Sequence, residues 1–307
     1  MFINSKELPY KASIRHIFWT WQKSAVIKFS SAGFLAAILH QVGILSAHTV
    51  FPSFALAVIG GALGIFVSFR SNSAYQRWWE GRKLWGRLIN TSRHICTQAI
   101  AYLPSELAQE LVYRQITYVH ALRCVLRGES LHQDQHLLRS VGSDELEGIQ
   151  NATNPNHLLL TTQMKRFVSW HKEGVLTEFW VSDLDNSIRQ LLDIQGGCER
   201  IKKTPFPPAY GFLATQLTTL YSMLLPLCLV NELGWWIIPV NTLICMAFQM
   251  INEVGRVLEN PFEDIFPALP LSAMSLTIER DLRQALGEVD LPDAQKIEAV
   301  GASYVLM

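Results

Sequence analysis

With 307 residues, 49% of them hydrophobic, a mean hydropathy of +0.16 and only 17% charged residues, the chain is too apolar for an ordinary soluble domain and too polar to lie wholly within a membrane. Its 26 basic and 26 acidic residues cancel, which argues against a polyanionic partner such as nucleic acid. The placement of the charges is therefore what carries information.

Taken in chain order, an N-terminal segment of residues 1–23 precedes a window from Phe29 to Phe69 that contains no Lys, Arg, Asp or Glu. A helix needs roughly 20 residues to cross the hydrocarbon core, so this window holds two crossings, about 24–46 and 50–69, separated at "SAHTVFPS". It is too long for a cleavable signal peptide and has no small-residue cleavage site. At its end comes "SFRSNSAYQRWWEGRKLWGRL", a belt of basic and aromatic residues. Such residues settle at the headgroup level, and Arg70 and its neighbours are expected to snorkel to phosphates there. Arg77, Trp78 and Trp79 read as interface anchors, whereas Trp85 and Leu88 imply that the helix continues into a soluble domain.

That domain, residues 70–203, reads as helical. "ELAQELVYRQITYVHALRCVLRG" spaces Leu107, Leu111, Ile116, Val119 and Leu122 along a helix and stops at Gly128, and "LTTQMKRFVSWHKEG" and "LTEFWVSDLDNSIRQLLDIQGG" share the period. "DELEGIQNATNPN" is the expected loop, and continuous β-branched strand patterns are absent. Residues 204–252 hold the third and fourth crossings, about 209–231 and 235–252, split at "NELGWW". Residues 253–307 form a C-terminal segment, which from about 270 onward reads as a peripheral tail with one short helix. Lys and Arg flank the spans on one side only, and the two tight loops between spans carry none, so both termini are expected in the cytoplasm.

Catalytic chemistry has little support, and neither an enzyme nor a cofactor is expected. Cys96, Cys124, Cys198, Cys228 and Cys245 form no C-x-x-C pair and read as reduced core residues. His132 and His136 stand one turn apart, but a metal site needs three or four ligands and a solvated helix face is the simpler reading. "GGALG" lacks the G-K-[ST] of a phosphate loop, so Gly60 and Gly64 read as small positions that let helices approach. Along the second span, Gly61, Ile65, Phe69 and Ser73 follow at steps of four with no ionisable group. A single such face is a packing surface; repeated around an axis it makes hydrophobic rings that gate ions by dewetting.

Three blocks, "FRSNSAYQRWWEGRKLWG" (Phe69 to Gly86), "QGGCERIKKTPFPPAY" (Gln195 to Tyr210) and "ENPFED" (Glu259 to Asp264), resemble in order and spacing the best-marked blocks of the bestrophin family, and of its bacterial branch in particular. The resemblance implies an all-α membrane protein with four transmembrane helices that continue into a helical cytosolic domain. It implies a homopentamer in a bacterial inner (plasma) membrane, whose second helices line a hydrophobic neck above a vestibule with a second constriction. Carried over residue by residue, the neck falls on Ile65 and Phe69, with Gly61 where eukaryotic members have a bulky residue. Monovalent ions are the implied cargo, with chloride as the family default.

In the second block, Gly196 and Gly197 are expected to permit a close turn, and Pro205, Pro207 and Pro208 to set the entry to the third span. "ENPFED" departs from the eukaryotic pattern. The acidic run that helps hold calcium is reduced to Glu263 and Asp264 after Asn260, which speaks against calcium activation. Glu178, Asp183 and Asp185 are candidate vestibule residues that, multiplied by five, would concentrate cations, so a cation-selective pore stands as one alternative. A membrane-anchored scaffold or receptor without conduction is the other. Few intramembrane charges and no inverted repeat argue against a secondary transporter.

Overall fold

The computed structural model describes residues 10–45, 52–131, 134, 137, 143–263, 268–293, 298–300 and 303–305. Among these the chain is helical, apart from a ribbon of two three-residue strands, β1 (Glu298–Val300) and β2 (Ser303–Val305). The helices are α1 (Tyr10–Gln41), α2 (Ser53–Tyr102), α3 (Ser105–Arg127), α4 (Ser143–Gln150), α5 (Pro155–Lys172), α6 (Glu178–Lys203), α7 (Pro208–Leu233), α8 (Ile237–Leu258) and α9 (Leu271–Ala285). Gly234–Trp236 forms a 3-10 turn between α7 and α8. His132 and His136 lie outside the described residues.

Two compact units divide these elements. The first holds α1, α2 as far as Trp78, α7 and α8; the second holds α2 from Trp79, α3 to α6, and α9. The expected run-on of the second helix is therefore present, and Trp85 and Leu88 are buried in the second unit.

In the first unit, Phe29 of α1, Leu63 and Val67 of α2, Tyr221 and Leu225 of α7, and Cys245 and Met246 of α8 share one apolar cluster. Gly60 admits a close approach, since a Cβ there would lie 2.8 Å from the Tyr221 hydroxyl. At Gly64 the nearest atom, in Phe248, is 3.7 Å away, an ordinary contact. Two stretches, Phe54–Tyr102 and Pro208–Leu258, contain windows long and apolar enough to cross a membrane, and only 22% and 28% of those windows is buried inside the chain. A core helix of a soluble protein would be mostly covered, so these faces need an apolar surrounding from elsewhere.

One polar staple joins three helices of this unit. Pro226 lies inside α7 and has no N–H, which deprives the carbonyl of Ser222, four residues earlier, of its helical donor. Buried Asn241 of α8 replaces it: its Nδ2 donates to Ser222 O at 3.3 Å and to Phe29 O of α1 at 2.8 Å. In lipid a backbone carbonyl left without a donor is costly, so the residue that frees it and the residue that satisfies it belong together.

The second unit is built around α3. Gly128 ends α3 in the left-handed conformation at φ 72°, as the sequence leads one to expect. The apolar stripe is not the whole of its buried surface, however, because Gln115, Thr117, His120 and Arg123 are buried as well. Each of the long polar side chains has a partner. Gln115 Nε2 donates to Ser92 Oγ at 2.9 Å, His120 Nε2 lies 3.0 Å from Glu279 Oε2, and Arg123 pairs with Asp134. Glu279 belongs to α9, which turns Ile278 and Leu282 into the core. The segment expected as a peripheral tail is thus an integral helix, with polar partners inside the unit.

Two local expectations are corrected. "DELEGIQ" is helical in α4, and the loop shrinks to the residues before Asn154, whose Oδ1 caps α5 by accepting from His157 N at 3.0 Å. Gly196 and Gly197 make no turn; both sit inside α6, where a Cβ at Gly197 would lie 2.8 Å from Leu84, so a small residue is needed for α6 to meet α2. Pro208 opens α7 at the first helical position, where a missing N–H costs nothing.

Asn241→Leu is expected to destabilise the protein by about 1 kcal/mol, the scale of interhelical hydrogen bonds in membranes. In a Pro226→Ala background, which restores the donor to Ser222 O, the loss should be smaller. Thermal melting in detergent of the two single variants and the double variant measures the difference.

Candidate functional site: the bare face of the second helix

Helical geometry divides the first half of α2 into two unlike faces. Leu56, Leu63, Val67, Arg70 and Ala74 are buried. Phe54, Val58, Gly61, Ile65, Phe69 and Ser73 are exposed, with Ile65 61% and Phe69 69% accessible. The step-of-four row seen in the sequence is therefore brought onto one bare face. It carries no charge, and the Ser73 hydroxyl turns back to donate to Phe69 O at 3.0 Å. A face of this kind can pack against lipid, against another chain, or around water.

Arg70 does not snorkel. It is 4% exposed, donating from Nη1 to the backbone carbonyl of Asn252 at 3.0 Å and to Asn252 Oδ1, and from Nη2 to Glu259 Oε1. Burial pushes the Glu259 carboxyl up from its ordinary value, and the Arg70 guanidinium opposes that rise. Arg77 donates from Nε to the backbone carbonyl of Glu259 at 2.7 Å. Trp78 stacks on Tyr75 with ring centroids 6.1 Å apart, and Trp79 is exposed. Asn260 is exposed and Glu263 half-buried, while Asp264 lies outside the described residues. Among the described residues no group of three His, Cys, Asp or Glu could hold a metal.

The three acids of α6 do not share one situation. Glu178 is exposed in the first turn. Asp185 pairs with Arg189 at 3.2 Å. Asp183 Oδ2 accepts from the Tyr102 hydroxyl at 2.7 Å and from Gln98 Nε2 at 2.8 Å, and Tyr102 stacks on Trp180 with ring centroids 5.0 Å apart. Those two donors hold the Asp183 carboxyl below its usual range. Asp183 is thus committed to the packing of α6 on α2, and Asp185 is neutralised locally. Phe179, beside Glu178 in the first turn of α6, is 86% exposed.

Residues 18–284 match the family described as Bacterial/Fungal Bestrophin protein. The chain belongs to the bestrophin family. The voltage-dependent anion channel-forming protein YneE of Salmonella typhi is 31% identical over 291 residues, covering 92% of this bestrophin and 95% of that protein. A protein of the same name from Escherichia coli strain K12 is 29% identical over 292 residues, with the same coverage of both chains. Among solved structures, a bacterial bestrophin homologue from Klebsiella pneumoniae superposes with a TM-score of 0.80 at 26% identity, covering 86% of this bestrophin and 98% of that chain. The all-α fold and the membrane character of this bestrophin follow from these matches.

The Asp183 contacts carry a pH signature. A carboxylate held low in the folded state adds stability above its unfolded value, about 3.9, and that stability is lost as pH falls through the folded value. Tyr102→Phe is expected to lower stability by about 1 kcal/mol at neutral pH, modest because solvent reaches the pair. The gap from wild type should close below the ordinary carboxylate range. Melting curves across pH read this directly, and a gap independent of pH would mean that ring packing rather than the hydrogen bond is what Tyr102 supplies.

Proposed function

We propose that this bestrophin is a passive anion channel, a ring of five identical chains whose α2 helices line one central pore with Ile65 and Phe69 at its narrow neck. The observation that carries the reading is the bare, uncharged face of α2, in a chain whose relatives are named voltage-dependent anion channel-forming proteins. A single copy leaves that face uncovered. Five copies would bring the two apolar residues into stacked rings, where dewetting sets the barrier to ion entry.

In this reading α1, the first part of α2, α7 and α8 are the four membrane crossings, and the second unit together with both termini lies in the cytoplasm. The basic residues at 70–87 and 200–203 support that orientation. A bacterial inner membrane fits the relatives' bacterial sources. Trp78 and Trp79 would then stand near the headgroups, with Arg77 beside them and tied to Glu259. Calcium is not needed to open the pore, since Glu259 is engaged by Arg70 and the segment after Asn260 is poor in acids.

The neck carries no charge, so it cannot choose the sign of the ion by itself. Asp185 is paired with Arg189, and Asp183, though ionised, is tied to Tyr102 and Gln98, so only Glu178 of the three acids is left without a partner among these contacts; the anion assignment rests chiefly on the relatives named anion channel-forming proteins.

Planar-bilayer recording in a salt gradient tests the proposal. The wild-type reversal potential is expected near the chloride equilibrium value, and Asp183→Asn with Asp185→Asn should leave it there. Ile65→Ala or Phe69→Ala should raise unitary conductance or loosen gating, because smaller rings cost less to keep wet. A reversal potential near the cation value, or currents identical in both neck variants with assembly intact, would reject the respective part of the reading.

A further inference from the structure

Phe69 and Arg70 are consecutive residues of α2, so their side chains leave the helix about 100° apart, the first into the open and the second into the protein. Around Arg70, α2 is tied to α8 and the residue after it at four points. Arg70 engages Asn252 and Glu259, Ser71 Oγ donates to Ile251 O at 3.0 Å, and Arg77, seven residues on and on the same face, donates to Glu259 O. The helices are in close contact here: a Cβ at Gly255 would lie 3.1 Å from Ser71 Oγ and 3.4 Å from Ser71 Cα. On the side of α7, a Cβ at Gly211 would lie 3.1 Å from Arg70 Nη2, and Asn252 Nδ2 donates to Thr215 Oγ1 at 3.4 Å. The guanidinium thus sits in a slot bounded by α7 and α8, with small residues on both sides.

A guanidinium held by two partners fixes direction as well as charge, because its donors form a rigid planar fork. Pulling it out takes from Glu259 the cation that engages its carboxylate and exposes the hydrogen-bonding partners of a guanidinium that is itself buried, which is unfavourable. Any rotation of α2 that carries Phe69 away from the bare face must therefore first extract Arg70. We propose that Arg70, clamped by Asn252 and Glu259, is the positioning residue that sets the rotation of α2 and so holds Phe69 at the neck; this rests on the reading of Ile65 and Phe69 as the neck. Arg70 does not touch the permeating ion. It acts through the helix it locks.

The test uses the full-length channel in planar bilayers carrying Phe69→Cys, exposed to a water-soluble methanethiosulfonate reagent. Background labelling is low because the five native cysteines are buried, and burial pushes the Cys96 and Cys198 thiols up to about 11 and about 12. Modification of Phe69→Cys alone is expected to block current. Adding Arg70→Gln should slow that modification at least about tenfold as the side chain turns out of the pore, with Arg70→Lys, which keeps the charge but not the fork, falling between. Glu259→Gln carries the same expectation from the acceptor side and serves where Arg70→Gln does not assemble. An unchanged modification rate in an assembled, conducting Arg70→Gln or Glu259→Gln channel overturns the positioning role alone. Failure of the reagent to block Phe69→Cys itself overturns the neck reading and this role with it.

Discussion

A single helix of 50 residues, α2, must satisfy two environments without a break in its hydrogen bonds, and the other elements are disposed around that requirement. At 1.5 Å per residue it is about 75 Å long, more than twice the thickness of a hydrocarbon core. Its first half offers one face to α1, α7 and α8 and leaves the other bare; its second half buries one face, with Trp85, Leu88 and Ile95, against partners that include α3, α6 and α9. No proline or unpaired turn interrupts it.

The two units solve the problem of buried polarity differently. In the first, buried polar side chains either bond back to their own helix, as Thr218 does, or answer a specific backbone or charge requirement, as Asn241 does for Ser222 and Arg70 for Glu259. In the second, α3 is enclosed on nearly all sides, and its polar residues are kept because partners come from α2, α9 and the segment following α3. His120 shows how tightly such a site is specified. Arg123 can only donate, so its contact of 3.4 Å with His120 Nδ1 requires that nitrogen to accept, which leaves Nε2 to donate to Glu279.

Much of this was legible in the sequence because it is written locally. Uncharged windows, the continuation through Trp85 and Leu88, the stop at Gly128 and the step-of-four row are all properties of neighbouring residues, and three short blocks sufficed to point to the family. What was not legible depends on residues far apart in the chain. Arg70 and Glu259 are separated by 189 positions, and at the end of a span an arginine that snorkels and one that is buried have the same local signature. The docking of α9 rests on His120 and Glu279, 159 residues apart, so its amphipathic pattern alone could be read as a free tail. Gly196 and Gly197 misled for the opposite reason: glycine marks a turn or a tight helix contact, and only the partner, Leu84, distinguishes the two. The acids of α6 were visible as charges, while Tyr102, Gln98 and Arg189, which decide what those charges can do, were not.

Pro226 also bears on how the chain is made. If α7 and α8 cross the membrane as proposed, a segment leaving the ribosome with α7 but not yet α8 would enter the bilayer with the Ser222 carbonyl unsatisfied, and the donor that completes it arrives only with Asn241, 19 residues later in the chain. The pair is therefore best delivered to the membrane as a helical hairpin, with α7 held in the protein-lined or water-accessible part of the insertion machinery until its partner emerges. Asn241 also reaches back to the Phe29 carbonyl of α1, so α8 closes a hydrogen bond of a helix made much earlier.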